Sequence, residues 1–306
     1  MTAAEREGEL TYRSIADSDV EDVLALVNIV QPHAPWDRSH FRWQFRDVPH
    51  GPAMVFGAYD EDRLVGLYCT VPAMLEAGGS AAVRAARVQD VMTHPDWRGR
   101  GILHALASMC LTWLTAEHIS GYAFPNESSY RSFVRLGWNG EQRVPWWHSE
   151  PEAGGSGDHD AVQYESHDES ATAIWEASAP EGAIRRDAAY LNWRYARPGQ
   201  QYVKFLLGGE AVLVLKQYGA TVHVCDLFAP ASSAGAIGNA LRFARRWAHQ
   251  RGAQRVTAWL ARDHRWAAEF VRGGMIWEDG VTRAIVTLPA AGKEVRYVSH
   301  SDNDIY

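Results

Sequence analysis

The 306-residue chain has few cysteines and lacks long apolar or basic segments, and each shortage argues against a class of protein. Its three cysteines, Cys69, Cys110 and Cys225, are widely separated, which disfavours both a disulfide framework and a paired-cysteine metal site. No uncharged apolar run approaches the roughly 20 residues that cross a bilayer, and the first residues lack the apolar stretch of a signal peptide. We therefore expect a folded, cytoplasmic protein without a membrane partner.

Basic residues are scattered along the chain. There are 30 Lys and Arg against 37 Asp and Glu, a formal net charge of −7, and the one locally basic stretch is Arg242-Phe-Ala-Arg-Arg. Surfaces that bind nucleic acid are strongly basic, so we expect no nucleic-acid partner. The thirteen histidines show neither HxxxH nor HExxH spacing, and no metal site is predicted.

A flexible segment divides the chain. Residues 150–159, which include Ala-Gly-Gly-Ser-Gly, contain small residues and acids with almost nothing apolar. We place one domain at 1–149, a linker at 150–159 and a second domain at 160–291. The polar tail, residues 292–306, is expected to fray or to lie on the surface.

An internal repeat relates the two domains. Phe41-Arg-Trp-Gln-Phe is matched 150 residues later by Leu191-Asn-Trp-Arg-Tyr, and Gln89-Asp-Val-Met is matched 136 residues later by Cys225-Asp-Leu-Phe. Ser132-Phe-Val-Arg is matched 137 residues later by Glu269-Phe-Val-Arg. The last two offsets are nearly equal over about 50 residues, and the larger first offset is consistent with a hairpin near Thr70–Ala86 that is longer in the first copy. This pattern indicates that one unit was duplicated.

Apolar periodicity predicts the same order of elements in each copy. A helix is followed by a hairpin, a central strand at Ala86–Thr93, a helix from Ile102, a short strand at Gly121–Phe124 and a last helix. Antiparallel strands followed by a βαβα crossover predict an α/β fold with a central mixed sheet flanked by helices.

The segment from the central strand into the next helix carries the chemistry: Val91-Met-Thr-His-Pro-Asp-Trp-Arg-Gly-Arg-Gly-Ile. Gly99 and Gly101 let the backbone approach a ligand, and the start of the helix adds partial positive charge. Arg98 and Arg100 contribute full charges. The loop lacks the Gly-Lys-Ser/Thr of an NTPase and the GxGxxG of a dinucleotide fold, so it predicts a different pyrophosphate-binding turn.

These residues resemble the GNAT superfamily of acyl-CoA-dependent N-acyltransferases. Arg98-Gly-Arg-Gly-Ile-Leu is similar to the family motif Arg/Gln-x-x-Gly-x-Gly/Ala, with Leu103 in place of a small residue. The stretch from Asn126 to Gly137 is similar to the family's Asn-to-Gly-Phe helix, with the family spacing. The two motifs lie in order within residues 86–138, and the duplication resembles two-copy members that include sugar N-acyltransferases.

The resemblance implies that the first domain binds acetyl-CoA, or another acyl-CoA, as co-substrate and needs no metal. The pyrophosphate would lie on the turn, the pantetheine arm would pair with the central strand, and a neutral amine would attack the thioester directly. The acyl carbonyl would lie where the central strand splays from Gly121–Phe124. The coenzyme-binding residues implied are Val91, Met92, Thr93, Arg98, Gly99, Arg100, Gly101, Ile102, Leu103 and Asn126.

Two residues are candidates for acid–base chemistry. Asp90 lies on the central strand beside the thioester position, but Asp226 occupies the same place in the second copy, which favours a structural role for both. Phe133 stands where many family members have a general-acid tyrosine. Tyr130, one turn earlier, is the candidate substitute, and packing is an equal alternative for it.

The second copy is predicted to be degenerate. Its segment Ser233-Ala-Gly-Ala236, aligned with Arg98–Gly101, has neither arginine and places Ala where Gly101 stands. We expect this copy to bind no coenzyme and to shape a substrate cleft with the first.

The main functional prediction is therefore transfer of an acetyl group to a primary amine of a small molecule, such as an amino sugar, an aminoglycoside-like compound or an amino acid. Aminoacyl transfer from charged tRNA is an alternative, disfavoured by the intact turn and the absence of a basic patch. A coenzyme-binding scaffold without catalysis is the other alternative, suggested by Phe133 and the degenerate second copy. The sequence leaves the acceptor, the acyl length and homodimer formation open.

Overall fold

The computed structural model describes residues 10–78, 81–140, 142–154, 160–178, 181–289, 295 and 297–303. Within them the chain forms two seven-stranded mixed sheets flanked by helices, which confirms the predicted fold class. Part of the predicted linker and the last three residues lie outside the described residues. No helix in the described part is both long and apolar enough to cross a membrane.

The elements follow the predicted order in each half. The strands are β1 (Thr11–Ser14), β2 (Met54–Asp60), β3 (Arg63–Ala77), β4 (Val83–Thr93), β5 (Ser120–Ala123), β6 (Arg143–Ser149), β7 (Ala161–Tyr164), β8 (Glu181–Ile184), β9 (Val203–Leu207), β10 (Ala211–Tyr218), β11 (Thr221–Phe228), β12 (Arg255–Trp259), β13 (Ile276–Ala284) and β14 (Val286–Leu288). The helices are α1 (Val20–Val30), α2 (Arg38–Phe45), α3 (Ile102–Ala116), α4 (Glu127–Arg135), α5 (Glu169–Ala177), α6 (Ala188–Arg194), α7 (Ala236–Gln250) and α8 (Ala267–Arg272). Short 3-10 helices cover Asp17–Asp19, Pro95–Trp97 and His300–Asp302.

The two sheets exchange strands. The first has the order β1-β2-β3-β4-β5-β14 with β8 beside β3, and the second has the order β13-β6-β12-β11-β10-β9-β7. Strand β6 precedes the predicted linker yet pairs with β12, while β14 returns from the end of the second copy to pair with β5. The sheets are therefore not divided at residues 150–159, because each copy completes its sheet with a strand from the other half.

Alternation along β4 positions the two faces of the first sheet. Ala86 and Val88 pack under α3 in a core that includes Ile102 and Leu106. Ala85 belongs to the opposite core, which includes the buried face of α1. Successive side chains of a strand point to opposite faces, so β4 presents one set of residues to each layer of helices.

A symmetric contact joins the two copies. The indole N–H of Trp43 donates to the carbonyl of Trp193 at 2.7 Å, and the indole N–H of Trp193 donates to the carbonyl of Trp43 at the same distance. The two rings stack with centroids 5.6 Å apart. Equivalent residues exchanging equivalent bonds is the pattern of a two-fold interface, here within one chain.

The C-terminal tail is not frayed where it is described. Residues 297–303 are buried, and Arg186 donates to the carboxylate of Asp302 at 2.5 Å with both side chains fully buried. Arg194 donates to the carbonyls of Ser301 and Asn303 at 2.7 and 2.8 Å. The surface position predicted for this polar segment is wrong, because buried arginines supply partners for its polar groups.

Candidate functional site

A cavity of about 1080 Å³ opens where β4 separates from β5. The two strands pair in parallel from Ala85 with Ser120 to Val88 with Ala123, and the pairing ends there. The cavity is lined by α3 and α4 on one side of the sheet and by Val30 and Gln31 on the other. Its lining therefore includes residues on both faces of the sheet, and the cavity passes through the sheet beyond the last β4–β5 pair.

The turn after β4 is shaped to receive an anion. Gly99 and Gly101 have φ values of +80° and +76°, which L side chains rarely adopt, and Gly101 is the N-cap of α3. A Cβ built on either glycine would meet no atom within 4 Å, so the space beside the turn is open. The first amide groups of a helix lack partners within the helix, and here the residues from Gly101 to His104 line the cavity.

The two arginines of the turn differ in position. Arg98 lines the cavity, and its Nε donates to the carbonyl of Thr93 at 3.4 Å. Arg100 is exposed outside the lining residues, where its Nη2 donates to the carbonyl of Asp96 at 3.4 Å. The other nine predicted coenzyme residues all line the cavity. The structure thus brings the predicted set together with the exception of Arg100.

Asn126 has a local structural role as well as a place in the lining. It is the N-cap of α4, and its side-chain oxygen accepts from the backbone N–H of Ser129 at 2.9 Å. An N-cap side chain satisfies an amide that the helix leaves unpaired. Asn126 therefore fixes the start of the helix that forms one wall of the cavity.

Asp90 lies at an irregularity of β4. The register between β3 and β4 shifts between the pairs Leu67–Met92 and Cys69–Gln89, which places an extra residue in β4. Asp90 has a φ of +49°, uncommon for a residue with a side chain. It lines the cavity at the bulge, immediately beyond the point where β4 and β5 part. Backbone in sparsely populated conformations concentrates at functional sites.

Two neutral amides hold the Asp90 carboxylate. Gln44 Nε2 donates to Oδ2 at 2.5 Å, and Gln89 Nε2 donates to the same oxygen at 2.8 Å. Gln44 is oriented in turn by His40, one helical turn earlier, at 3.2 Å between His40 Nε2 and Gln44 Oε1. Burial, with a contribution from Arg197, lowers the pKa of His40 to about 4, so the ring is neutral near pH 7 and its Nε2–H is the donor in this tautomer.

Asp226 occupies the equivalent position in the second copy with different partners. It is fully buried and accepts from Arg186 Nε at 3.1 Å, from the Tyr195 hydroxyl at 2.5 Å and from the Ser299 hydroxyl at 2.7 Å. A guanidinium neutralises this carboxylate, whereas Asp90 accepts from the uncharged amides of Gln44 and Gln89. The repeat places the two aspartates at the same point of the fold and does not give them the same chemistry.

Tyr130 does not line the cavity, so the structure gives no support to its predicted substitution for the family tyrosine. Its hydroxyl donates to the carbonyl of Gly140 at 2.6 Å, and the Arg143 guanidinium lies 4.7 Å from its ring centroid. Phe133 does line the cavity and packs edge-on against Trp138. The packing alternative given for Tyr130 fits this arrangement.

The turn of the second copy keeps its glycine. Helix α7 begins at Ala236 after the N-cap Gly235, which has a φ of +83°. The structural equivalent of Gly101 is therefore Gly235, and the sequence alignment with Ala236 was off by one residue. Both arginines are absent, as predicted, and the carboxylate of Glu269 accepts from the N–H groups of Gly235 and Gly238 at 3.3 and 3.1 Å.

Sequence reasoning missed Gln44 and Gln89 as functional candidates. A signal for both was present, because the internal repeat replaces Gln44 by Arg194 and Gln89 by Cys225. Positions that differ between the copy with arginines in its turn and the copy without them are candidates for function.

Comparison with known proteins agrees with the geometry. Residues 11–139 match the model of the acetyltransferase (GNAT) domain. No curated protein matches the chain significantly.

Several solved structures share the fold. A probable N-acyltransferase from Enterococcus faecalis V583 is 11% identical, with a TM-score of 0.67 over 92% of this chain and 73% of that chain. A GCN5-related N-acetyltransferase from Kribbella flavida is 15% identical, with a TM-score of 0.66 over 91% and 70%. A tandem GNAT protein from the clavulanic acid biosynthesis pathway is 17% identical, with a TM-score of 0.55 over 92% and 99%. Residues 11–139 thus match the model of an acetyltransferase (GNAT) domain, and the chain shares the fold of a tandem GNAT protein.

Proposed function

We propose that the chain is an N-acetyltransferase that moves an acetyl group from acetyl-CoA to a primary amine of a small molecule. The observation that carries the proposal is the cavity that passes through the sheet between β4 and β5. Transfer between two substrates needs both to reach one point, and this cavity meets β4 from both faces.

The coenzyme is assigned to the α3 side of the cavity. Its pyrophosphate would accept from the amides at the start of α3 and pair with Arg98, beside the open space at Gly99 and Gly101. The edge of β4 beyond its last pair with β5, Val88 with Ala123, would hold the amide-containing arm, since an extended chain can pair with a strand edge. With these assignments, the thioester would lie beside Asp90, which also lines the cavity.

Asp90 is proposed as the base. The amine nitrogen attacks the thioester carbon, the C–N bond forms and the C–S bond breaks. The nitrogen becomes strongly acidic as it bonds to carbon, so a carboxylate is a sufficient acceptor for its proton. The thiolate leaves and is protonated from solvent. Gln44 and Gln89 orient the Asp90 carboxylate without neutralising it, which keeps it able to take a proton.

The alternatives differ from this proposal in measurable ways. A scaffold protein would bind acetyl-CoA and release no thiol with any amine. A tRNA-dependent transferase would require charged tRNA as donor and would not use acetyl-CoA. The acceptor side of the cavity, lined by a buried strand face, supports a small acceptor over a macromolecule.

The first test is calorimetry with acetyl-CoA on the wild type, the Arg98→Ala/Gly101→Glu variant and the control Arg84→Ala. Arg84 lies on β4, is exposed and pairs with Glu117 away from the cavity. We expect micromolar binding, about −8 kcal/mol, that the control retains and the double variant loses. Thiol release with a panel of primary amines then measures transfer. Absence of binding by the wild type would overturn the proposal.

A further inference from the structure

Two buried polar side chains beside Asp90 are not fully satisfied within the described residues. Arg87 and Gln89 both line the cavity, and they are only 4% and 6% exposed. They are two positions apart on β4, so they share a face of the sheet, opposite to the face on which Val88 packs under α3. This is the face reached through Val30 and Gln31, away from the coenzyme turn.

Each side chain has one atom bonded and one atom without a partner. Arg87 Nη1 donates to the backbone carbonyl of Asp302 at 2.8 Å, whereas its Nε has no hydrogen-bond partner among the described residues. Gln89 Nε2 donates to Asp90, whereas its Oε1 has no partner there either. An unsatisfied buried polar group costs about 1–3 kcal/mol, and native proteins keep few of them without a reason. Arg87 thus lacks one acceptor and Gln89 lacks one donor, at positions two residues apart on the same face of β4.

The charge of Arg87 is also uncompensated by its bonded partner. The carbonyl of Asp302 is neutral, and the carboxylate of that residue pairs with Arg186 at 2.5 Å. Asp226 pairs with Arg186 as well, at 3.1 Å. A buried cation next to a ligand cavity is suited to a ligand anion, and the planar guanidinium matches a carboxylate in particular.

We propose that Arg87 and Gln89 select an acceptor that carries a carboxylate close to its primary amine, that is, an amino acid. The acceptor carboxylate accepts from Arg87, its amine donates to Gln89 Oε1, and the same amine faces the Asp90 carboxylate. Along β4, Arg87 would bind the acceptor carboxylate, Gln89 would bind the amine, and Asp90 would take the proton from that amine. This inference deepens the proposed function and rests on it.

A phosphate-bearing acceptor fits the site less well. A phosphate dianion would require a second cation, and the nearby Arg186 is bonded to Asp226 and Asp302. The other buried arginine, Arg194, donates to two backbone carbonyls of the tail. A single guanidinium beside a neutral amide corresponds to a monoanion.

The decisive experiment uses the wild type. Thiol release from acetyl-CoA is measured with the twenty common amino acids and, for each, the corresponding amino-acid amide, which keeps the amine and removes the negative charge. At least one amino acid should exceed its amide about 100-fold in kcat/KM, since a site built for a polar group rejects an analogue that lacks it. Equal values across all the pairs would overturn the proposal.

Calorimetry on the wild type saturated with coenzyme A reads acceptor binding without turnover. Amino acids should bind more tightly than their amides even if no transfer is detected. Tight acetyl-CoA binding with equal affinity for acids and amides would overturn this inference and leave the proposed function intact. Absence of acetyl-CoA binding would instead remove the proposed function.

Variants assign the selectivity to Arg87. Arg87→Met should raise KM for the preferred amino acid about 100-fold and leave the kcat/KM of its amide within a few-fold, while Arg87→Lys should recover part of the loss because it restores the charge. Arg84→Met, an arginine removed from the same strand outside the cavity, should change neither. Acetyl-CoA affinity and thermal stability are measured for every variant. Equal losses for acid and amide in Arg87→Met would indicate that Arg87 only holds the tail, and would contradict the proposal.

Discussion

The two copies build the same turn at the start of the same helix and fill it differently. Helices α3 and α7 both contain 15 residues, and each begins after a left-handed glycine. In the second copy, the carboxylate of Glu269 accepts from two amides of that turn. In the first copy the matching residue is Ser132, which lines the cavity and leaves the space beside the turn open. The start of a helix attracts an anion, and in the second copy the Glu269 carboxylate is that anion.

The strand openings differ in the same way. Pairing of β11 with β12 ends at His223 and Thr257, and the segment His300–Asp302 packs there, with the His300 ring 4.6 Å from that of Trp259. Pairing of β4 with β5 ends in the same manner, and there a cavity follows. In the second copy, Glu269 thus occupies the turn and the segment His300–Asp302 occupies the strand opening. If the first copy binds its ligands as proposed, the second copy has become structural because its own side chains take the places of those ligands.

The largest contrast is expected between Asp90→Asn and Asp226→Asn. The first change should lower kcat about 10²–10⁴-fold and cost little stability, because the carboxylate is held by neutral amides at a half-buried position. The second should lower the free energy of unfolding by about 3–5 kcal/mol, because it leaves the buried Arg186 with less compensation. Steady-state kinetics and urea unfolding of both variants check this. A stable Asp226→Asn protein with equally impaired kcat would contradict the contrast.

Ser132→Glu should convert the first turn into a copy of the second. The new carboxylate would bond to the amides at Gly101 and repel the pyrophosphate. Acetyl-CoA affinity should fall about 100-fold, about 2.7 kcal/mol. The matched control is Ser132→Gln, which has the same size without the charge and should bind within a few-fold of the wild type. If calorimetry finds the same loss for Gln and Glu, bulk rather than charge is responsible.

The symmetric tryptophan contact predicts that substitution of either tryptophan lowers the free energy of unfolding by a similar amount. Trp43→Phe and Trp193→Phe each remove one buried indole hydrogen bond to the partner's carbonyl. Each should lower the free energy of unfolding by about 1–3 kcal/mol. Urea unfolding measures both. A large cost for one variant beside none for the other would show that the contact is symmetric in geometry alone.

The smallest expected effect comes from two glycine substitutions, which separate the loss of stability caused by backbone conformation from the loss of acetyl-CoA affinity. Gly101→Ala and Gly235→Ala each force a side chain into a left-handed backbone without a steric clash, and each should cost about 1–2 kcal/mol of stability. Acetyl-CoA affinity should fall only in Gly101→Ala, since the turn at Gly235 is occupied by Glu269. Calorimetry and thermal unfolding of the pair check this, and reduced affinity in Gly235→Ala would mean that the second copy also contributes to binding.

Part of the site could be predicted from the sequence because it is encoded locally. The glycines at 99 and 101, the helix start at Ile102 and the N-cap Asn126 depend on backbone conformation within a few residues. These residues lie around the cavity, whereas Arg100 lies outside its lining. The hydrogen-bond partners of Asp90 could not be predicted from the sequence, because Gln44 is 46 positions away and reaches Asp90 only through the packing of α2.

The sequence by itself determined the duplication, the order of elements and the turn that begins α3, since periodicity, glycine and capping act over short distances. Only the tertiary structure decided that the sheets exchange β6 and β14 and that the tail is buried. It also decided that Asp226 pairs with a buried arginine while Asp90 accepts from two glutamine amides. Those features depend on contacts between residues far apart in the chain, where a polar side chain is equally compatible with solvent or with a buried partner until the partner is known.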